Sequence, residues 1–294
     1  MDNTFVHILS SMRIQQWIKN FFIFAALIFS GNLFILKDFL LTTAGFILFS
    51  LLASGVYIFN DIIDIEHDRN HPLKSHRPLP SGKLSKSIAL ISSLVLILLS
   101  ITVSFILKTQ FAVILLIYLI INVWYSYHLK NVVILDVMTI AAGFVLRVVS
   151  GAVIIDVPTS EWLIICTILL SLFLGFSKRR HELIILENSA NSHRSVLQDY
   201  SPYFLDQMIG IVTATTVMSY ALYTISEETI RKFGTKNLIY TVPFVLYGIF
   251  RYLYLVHKKE KGGNPTKLML TDIPLLLNVI LWIIVAIIII YGNK

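Results

Sequence analysis

Long runs of apolar residues, separated by short polar segments, make up most of the chain. A transmembrane helix takes roughly 20 consecutive, mostly apolar residues, and nine runs reach or approach that length. They lie at about 16–36, 39–59, 87–107, 111–128, 134–154, 162–176, 207–225, 239–257 and 273–292. This pattern predicts one all-α, multi-pass membrane domain over residues 1–294, with about nine transmembrane helices.

The composition excludes an ordinary soluble fold. The 294 residues are 56% hydrophobic and 14% charged, whereas soluble domains are roughly 45–50% apolar and about 25% charged. The lone cysteine, Cys166, lies within an apolar run and has no partner for an internal disulfide. Cysteine usage therefore indicates no oxidising compartment.

The basic residues are distributed unequally between the two sides of the membrane. Of the 24 Lys and Arg residues, sixteen fall on the side of the N-terminus, six fall on the opposite side, and Arg147 and Arg251 lie within spans. Because cytoplasmic loops carry the excess of Lys and Arg, we expect the N-terminus and the loops 60–86, 177–205 and 258–272 inside, and the C-terminus outside. For most single lysines, topology and contact with anionic lipid head groups are the alternative to a functional role. Charge scattered between spans argues against a nucleic-acid partner.

Acidic residues gather after the second span. At about 100° per residue, Asp61, Asp64 and Asp68 lie within about 60° of one another on a helix that continues the span. Such a cluster repels itself unless a cation binds among the oxygens, and oxygen ligands suit Mg²⁺ shared with substrate phosphates. Together with Asn60, these residues are predicted to bind Mg²⁺.

The loop that follows combines cations with helix breakers. The breakers are Pro72, Pro78, Pro80 and Gly82. They fold the segment back, so that Lys74 and Arg77 can approach phosphates from the side opposite the metal. A metal with cations is typical of a pyrophosphate site. The alternative is a solvated acidic loop that Arg69, Lys74 and Arg77 neutralise.

The fifth span carries one polar stripe. Its members recur every three or four residues and are Asp136, Thr139, Gly143, Arg147 and Ser150. Asp136 and Arg147 are about 16 Å apart along the helix, which is too far to pair. An arginine this deep costs at least about 2.5 kcal/mol, so we expect both residues to bind substrate. The alternatives are a structural arginine satisfied by carbonyls and, for Gly143, Gly151 and Ala152, close helix packing alone.

Further candidates for substrate binding lie at span ends on the same side. They are Lys19, Tyr125, Lys130, Lys178, Arg179 and Glu182. Lys178 and Glu182 share a helical face, whereas Arg179 points elsewhere. A tyrosine alone is more typical of the interface belt.

The residues above resemble the UbiA superfamily of intramembrane prenyltransferases. Its acidic motif NDxxDxxxD is matched by Asn60, Asp61, Asp64 and Asp68. Within the superfamily the chain is most similar to the polyprenyl-phosphate phosphoribosyltransferases of the decaprenyl-phosphate type. The matching blocks are residues 16–20, 68–82, 125–130, 143–152, 178–182, 193–207 and 247–252. They cover almost the whole chain.

Two positions depart from the superfamily pattern. Ile14, near the first span, stands where the superfamily often has a proline, and this difference is compatible with membership. After the sixth span, a second acidic motif is replaced by Lys178, Arg179 and Arg180, with only Glu182 and Glu187 as acids. A basic cluster suits additional phosphate groups, and this favours the phosphoribosyl subgroup.

The resemblance implies a helical bundle around a cytoplasm-facing cavity in a bacterial-type cell membrane. The implied reaction transfers 5-phosphoribose from phosphoribosyl pyrophosphate (PRPP) to a polyprenyl phosphate, and its product serves cell-wall glycan synthesis. Asp61, Asp64 and Asp68 would be catalytic through Mg²⁺ on the pyrophosphate. The cations would position the two anionic substrates. A homo-oligomer is compatible with the resemblance.

Two other functions stay open at this point. An aromatic prenyltransferase uses the same metal–pyrophosphate chemistry, so the acidic motif does not distinguish it. A transporter would use Arg147 and the acids as an ion pathway. However, the acids lie at the membrane margin, and the two halves of the chain contain no matching pair of broken helices.

Overall fold

The structure is a computed structural model that describes residues 4–69, 74–186, 195–259, 263 and 265–292. Thirteen α-helices occur in the described residues. They are α1 (Thr4–Ser11), α2 (Ile23–Phe29), α3 (Leu36–Ile63), α4 (Ile65–Arg69), α5 (Lys86–Leu107), α6 (Thr109–Tyr127), α7 (Leu135–Ile154), α8 (Glu161–Leu186), α9 (Pro202–Ile225), α10 (Glu227–Phe233), α11 (Val242–Lys258), α12 (Pro265–Thr271) and α13 (Ile273–Tyr291). Four 3₁₀ helices join them, at Ile14–Phe22, Leu129–Asn131, Ser195–Asp199 and Asn237–Thr241.

The all-α prediction is confirmed, and eight of the expected spans are helical segments long and apolar enough to cross a membrane. The first span differs, because it consists of the 3₁₀ helix Ile14–Phe22 followed directly by α2. At rises of about 2.0 Å and about 1.5 Å per residue, the two pieces together measure about 28 Å. That length is close to the roughly 30 Å of a bilayer core. The expected number of about nine crossings therefore agrees with the fold.

Four buried apolar clusters occur in the described residues, and the two with the most members are the main cores of the bundle. One is built from α2, α3, α6 and α7, around Phe49, Phe111 and Leu115. The other is built from α8, α9, α11 and α13, around Phe173 and Leu205. Helix α7 contributes to both, because its early residues pack in the second core and its late residues in the first. It is therefore one of the elements that connect the two cores, together with the packing of Phe29 in α2 against Tyr223 and Trp282.

Close approach of α7 to α2 depends on one glycine. A Cβ atom added to Gly151 would lie 2.0 Å from the carbonyl oxygen of Ile23. Backbone cannot move aside as a flexible side chain does, so only glycine fits at this crossing. The predicted packing role of Gly151 is confirmed.

The polar candidates from different helices meet at one end of the bundle. This end contains the end of α3, the beginning of α7 and the last turns of α8, which run in alternating directions. Side chains from all three take part in hydrogen bonds there. The connectivity therefore assembles one site from segments that are distant in sequence.

Candidate active site

The acidic cluster lies where α3 ends. Helix α3 stops at Ile63, Asp64 caps it outside helical geometry, and α4 begins at Ile65. The expectation of one uninterrupted helix is therefore wrong at Asp64. The amide of Asp68 still donates to the carbonyl of Asp64 at 2.8 Å, so the helical spacing largely persists. Asp61 and Asp68 are buried, at 1% and 2% exposure.

Two arginines from different segments bind these buried carboxylates. Nη1 of Arg77 lies 3.0 Å from Oδ1 of Asp61 and 2.7 Å from Oδ2 of Asp68. Arg13 also donates to Oδ1 of Asp61, and its guanidinium carbon lies 5.2 Å from the centre of the Tyr57 ring. The charges of both carboxylates are thus compensated within the protein.

Lysines complete the pairing of the acids. Nζ of Lys130 lies 2.6 Å from Oδ1 of Asp64, and Nζ of Lys74 lies 3.4 Å from Oδ1 of Asp68. Asn60 donates to Asp64 at 3.2 Å and accepts from Ser126 at 2.9 Å. The loop cations were expected on the side opposite a metal, but the structure places them directly on the carboxylates.

The neutralised-loop alternative is therefore correct in part. Lys74 and Arg77 do contact the acids, whereas Arg69 pairs with Glu66 at 3.0 Å on the surface. Neutralisation by these residues does not exclude a metal, because the same oxygens can exchange one cation for another.

The predicted metal ligands do not form a ready-made site in this conformation. No three His, Cys, Asp or Glu side chains among the described residues are placed to hold a metal ion. Nevertheless, the donors are carboxylate and amide oxygens, which Mg²⁺ prefers. The position of Nη1 of Arg77 between Asp61 and Asp68 shows that a positive charge fits between these two groups. The residues therefore suit Mg²⁺ after the bound cations have moved.

Arg147 lies deeper in the bundle and is 4% exposed. It donates to Oδ1 of Asn20 at 2.7 Å, to the carbonyl of Gly143 at 2.6 Å and to the hydroxyl of Tyr118 at 3.0 Å. Its guanidinium also faces the rings of Phe49, Tyr118 and Phe144. These partners satisfy its hydrogen bonds but carry no negative charge.

Lys19 belongs to the 3₁₀ helix Ile14–Phe22, and its ammonium group lies near Arg147 of α7. Among the charges that act on its ammonium group are those of Arg147 and Arg13, which are also positive. Neither Lys19 nor Arg147 forms an ion pair with any described residue. Together they make a region of uncompensated positive charge beside the acidic cluster, as an anion-binding site requires.

Asp136 and Arg179 form a buried ion pair, at 0% and 1% exposure. Asp136 also accepts from the hydroxyl of Tyr200 at 2.7 Å, and Arg179 also contacts Glu182 and, at 3.4 Å, the hydroxyl of Tyr125. The structure brings these predicted residues together, but it buries the first two inside the protein. They connect α7, α8 and the segment before α9.

Tyr200 was not among the predicted site residues. It accepts from the amide of Ile134 at 2.7 Å while it donates to Asp136. Burial and the hydrogen bond to Asp136 raise the pKa of Tyr200 above its ordinary value. The hydroxyl therefore stays protonated and continues to donate at neutral pH.

The basic second cluster is divided. Arg179 is buried and paired with Asp136, and Arg180 pairs with Asp206. Lys178 is partly exposed, and its Nζ lies 3.6 Å from Oε1 of Glu182. The expectation that Arg179 points away from the face of Lys178 and Glu182 is therefore wrong, since Arg179 also bonds Glu182. Its long side chain reaches over one turn of the helix.

Other residues that the sequence prediction missed lie around the acids and Arg147. They are Arg13, Asn20, Tyr118 and Ser126. Arg13 was counted only among the sixteen basic residues on the side of the N-terminus, although it lies three residues before the block 16–20. Pro72, Glu187, residues 70–73 of the block 68–82 and residues 193–194 of the block 193–207 lie outside the described residues.

Comparison with known proteins agrees with this arrangement. The model of the UbiA prenyltransferase family matches residues 20–280. The chain belongs to the UbiA prenyltransferase family. It is a multi-pass integral membrane protein and a transferase. Family membership argues against the transporter alternative.

The UbiA family includes curated relatives that cover almost the whole chain. Decaprenyl-phosphate phosphoribosyltransferase of Corynebacterium glutamicum is 29% identical and covers 96% of this chain and 86% of its own. The protein of the same name from Mycobacterium tuberculosis is 27% identical, and the match covers 96% of this chain and 93% of that protein. These relatives support the subgroup that the sequence motifs indicate.

A solved structure shows the same fold. A UbiA homologue from Archaeoglobus fulgidus, bound to DMAPP and Mg²⁺, superposes with a TM-score of 0.71 at 20% identity. The superposition covers 96% of this chain and 98% of the other. The UbiA-like bundle is thereby confirmed.

Proposed function

We propose that this UbiA-family enzyme transfers 5-phosphoribose from PRPP to a polyprenyl phosphate and releases pyrophosphate. The observation that carries the proposal is an excess of positive charge at the site. Four basic side chains contact the three aspartates, and Lys19 and Arg147 add charges that no described acid compensates. Two phosphorylated substrates need this excess, whereas a neutral aromatic acceptor does not.

The aspartates and Asn60 would hold Mg²⁺ against the pyrophosphate of PRPP. Mg²⁺ bound there supplies charge neutralisation for the departing pyrophosphate. Arg77, Lys74 and Lys130 lie at the same carboxylates and would bind its remaining oxygens. They orient the leaving group and favour its departure as negative charge develops.

Lys19 and Arg147 would bind a second phosphate group, either the 5-phosphate of PRPP or the acceptor phosphate. Lys178 would assist from α8, because its charge also acts on Lys19. The acceptor oxygen attacks C1 of the ribose as the bond to pyrophosphate breaks, with inversion. That oxygen is already anionic near neutral pH, so no general base is needed. The protein brings two anions together against their repulsion.

A two-substrate assay tests the proposal. Purified protein receives labelled PRPP with polyprenyl phosphate, or labelled prenyl diphosphate with 4-hydroxybenzoate. We expect a lipid-linked pentose phosphate from the first mixture only, lost on chelation and restored by Mg²⁺. A prenylated aromatic product without any lipid-linked pentose phosphate would instead establish the aromatic prenyltransferase.

Asp64→Asn tests the metal ligands in the same assay. Loss of one negative charge should abolish Mg²⁺-dependent turnover without affecting membrane insertion, because Asp64 is a capping residue outside the apolar cores. The matched control is Asp156→Asn, since Asp156 is exposed and pairs with Lys108. Full activity of Asp64→Asn would exclude the proposed metal site. The cytoplasmic location of the site remains part of this proposal.

A further inference from the structure

Basic side chains of the protein itself contact the buried carboxylates of the acidic cluster. A single guanidinium nitrogen of Arg77 lies within 3.0 Å of both Asp61 and Asp68, and Arg13 binds the same oxygen of Asp61. The carboxylates are 2–3% exposed as side chains, whereas Arg13 and Arg77 are 25% and 30% exposed. The two arginines thus lie between the buried carboxylates and the more accessible side of the cluster.

Arg13 reaches Asp61 through an unusual backbone conformation. It adopts φ 52° and ψ 52° immediately before the 3₁₀ helix Ile14–Phe22. A non-glycine residue in this left-handed region is sterically strained, and such strain persists only where the surroundings impose it. Its contacts with Asp61 and Tyr57 are the interactions that offset this strain.

We propose that Arg13 and Arg77 hold the position between the carboxylates until the metal binds, and that they exchange Asp61 and Asp68 for diphosphate oxygens when the metal and the diphosphate bind. This inference rests on the proposed metal site. It assigns Arg13 a role in binding the diphosphate.

The exchange follows from charge balance. A divalent metal alone must displace two guanidinium groups and leave them without a counter-ion in a half-buried site, which is costly. The diphosphate removes that cost, because guanidinium groups bind phosphate oxygens in bidentate pairs. Metal and diphosphate should therefore bind cooperatively, each strengthening the other by the same factor. Metal alone should bind weakly.

Metal binding measured without turnover tests the exchange. Mn²⁺ is titrated into the purified full chain and followed by EPR, with and without inorganic pyrophosphate. We expect pyrophosphate to tighten Mn²⁺ binding about tenfold or more. Arg13→Met and Arg77→Met should each bind Mn²⁺ alone about tenfold more tightly than wild type and show a smaller effect of pyrophosphate.

Arg69→Met is the matched control, since Arg69 carries the same charge nearby but pairs with Glu66. It should behave as wild type. Arg13 and Arg77 lie in separate segments of the chain, so a folding defect in one variant does not affect the other. One variant with a wild-type size-exclusion profile is therefore sufficient for the test.

The outcomes separate the two proposals. If wild type binds no Mn²⁺ even with pyrophosphate, the proposed metal site itself is wrong. If wild type binds Mn²⁺ with pyrophosphate but neither arginine variant binds Mn²⁺ alone more tightly, the exchange is overturned and the metal site stands.

Discussion

At the scale of single residues, the two arginines inside the spans are satisfied in opposite ways. Arg251 forms a two-pronged ion pair with Asp272, at 3.1 and 2.8 Å. Arg147 bonds only neutral acceptors and aromatic faces. Neutral partners stabilise a guanidinium without cancelling its charge, so Arg147 keeps its attraction for an anion.

Arg147→Met should weaken the binding of an anionic substrate. A hydrogen bond to a charged group is worth about 1.5–3 kcal/mol, so we expect kcat/KM for PRPP or the lipid phosphate to fall by about 10- to 100-fold. Steady-state kinetics with each substrate varied in turn would measure this and show which phosphate Arg147 binds.

Arg251→Met is the control for losing an arginine within a span. It removes the ion pair with Asp272 and should lower thermal stability, while KM for both substrates stays unchanged. If the Arg147→Met variant retains wild-type kcat/KM for both substrates, the anion site at Arg147 is wrong.

Sequence reasoning identified Arg147 because an arginine is costly in an apolar span. It did not identify Asn20 and Tyr118 as partners of Arg147, since a neutral polar residue gives no sequence signal of which side chain it will contact. It also treated Asp136 and Arg179 as separate substrate ligands, whereas the fold buries them as a pair. Pairing across 43 residues depends on how α7 and α8 pack.

At the scale of elements, the 3₁₀ helix Ile14–Phe22 is matched to α3. Trp17 donates to Ser54 at 3.0 Å and Asn20 donates to Ser50 at 2.8 Å. Three residues of 3₁₀ helix and four residues of α-helix both rise about 6 Å. The tighter helix therefore keeps both hydrogen bonds in register, and residues three apart, such as Gln16 and Lys19, align on one face.

The α2–α7 crossing gives a prediction about stability. Gly151→Ala would force its Cβ onto the carbonyl of Ile23, at 2.0 Å, so α2 must shift. Overpacking of this kind costs about 1–3 kcal/mol, and the melting temperature in detergent should fall by several degrees.

Gly210→Ala provides the comparison for this substitution. Gly210 lies in α9, and a Cβ added there meets no atom within 4 Å. Alanine favours a helix by about 0.5–1 kcal/mol over glycine, so this variant should melt at or above the wild-type temperature. Equal melting temperatures for the two variants would contradict the packing role of Gly151.

At the scale of the whole molecule, the site combines the end of α3, which packs in the first core, with α8, which packs in the second. Helix α7 contributes to both cores. The ion pair of Asp136 with Arg179 holds α8 against the first turn of α7. Lys130, just before α7, reaches across to Asp64 at the end of α3. Helix α7 and the turn before it thus link the acids at the end of α3 to α8.

The orientation of the bundle is testable with impermeant maleimides. In a Cys166→Ser background, we expect Lys236→Cys to react in intact spheroplasts and Lys83→Cys to react only after permeabilisation. Both lysines are exposed, and the excess of Lys and Arg places position 83 in the cytoplasm. The reverse labelling pattern would overturn the predicted orientation.

The sequence by itself determined the helical membrane fold and the family, because apolar length and the NDxxDxxxD spacing are local properties of the chain. It also located the acids and most of the cations that surround them. The tertiary structure alone decided which charge meets which. Arg13 on Asp61, Arg77 between two aspartates and Arg179 on Asp136 join segments 9 to 48 residues apart. Such pairings depend on how helices cross and where loops fold back, and no local pattern specifies that.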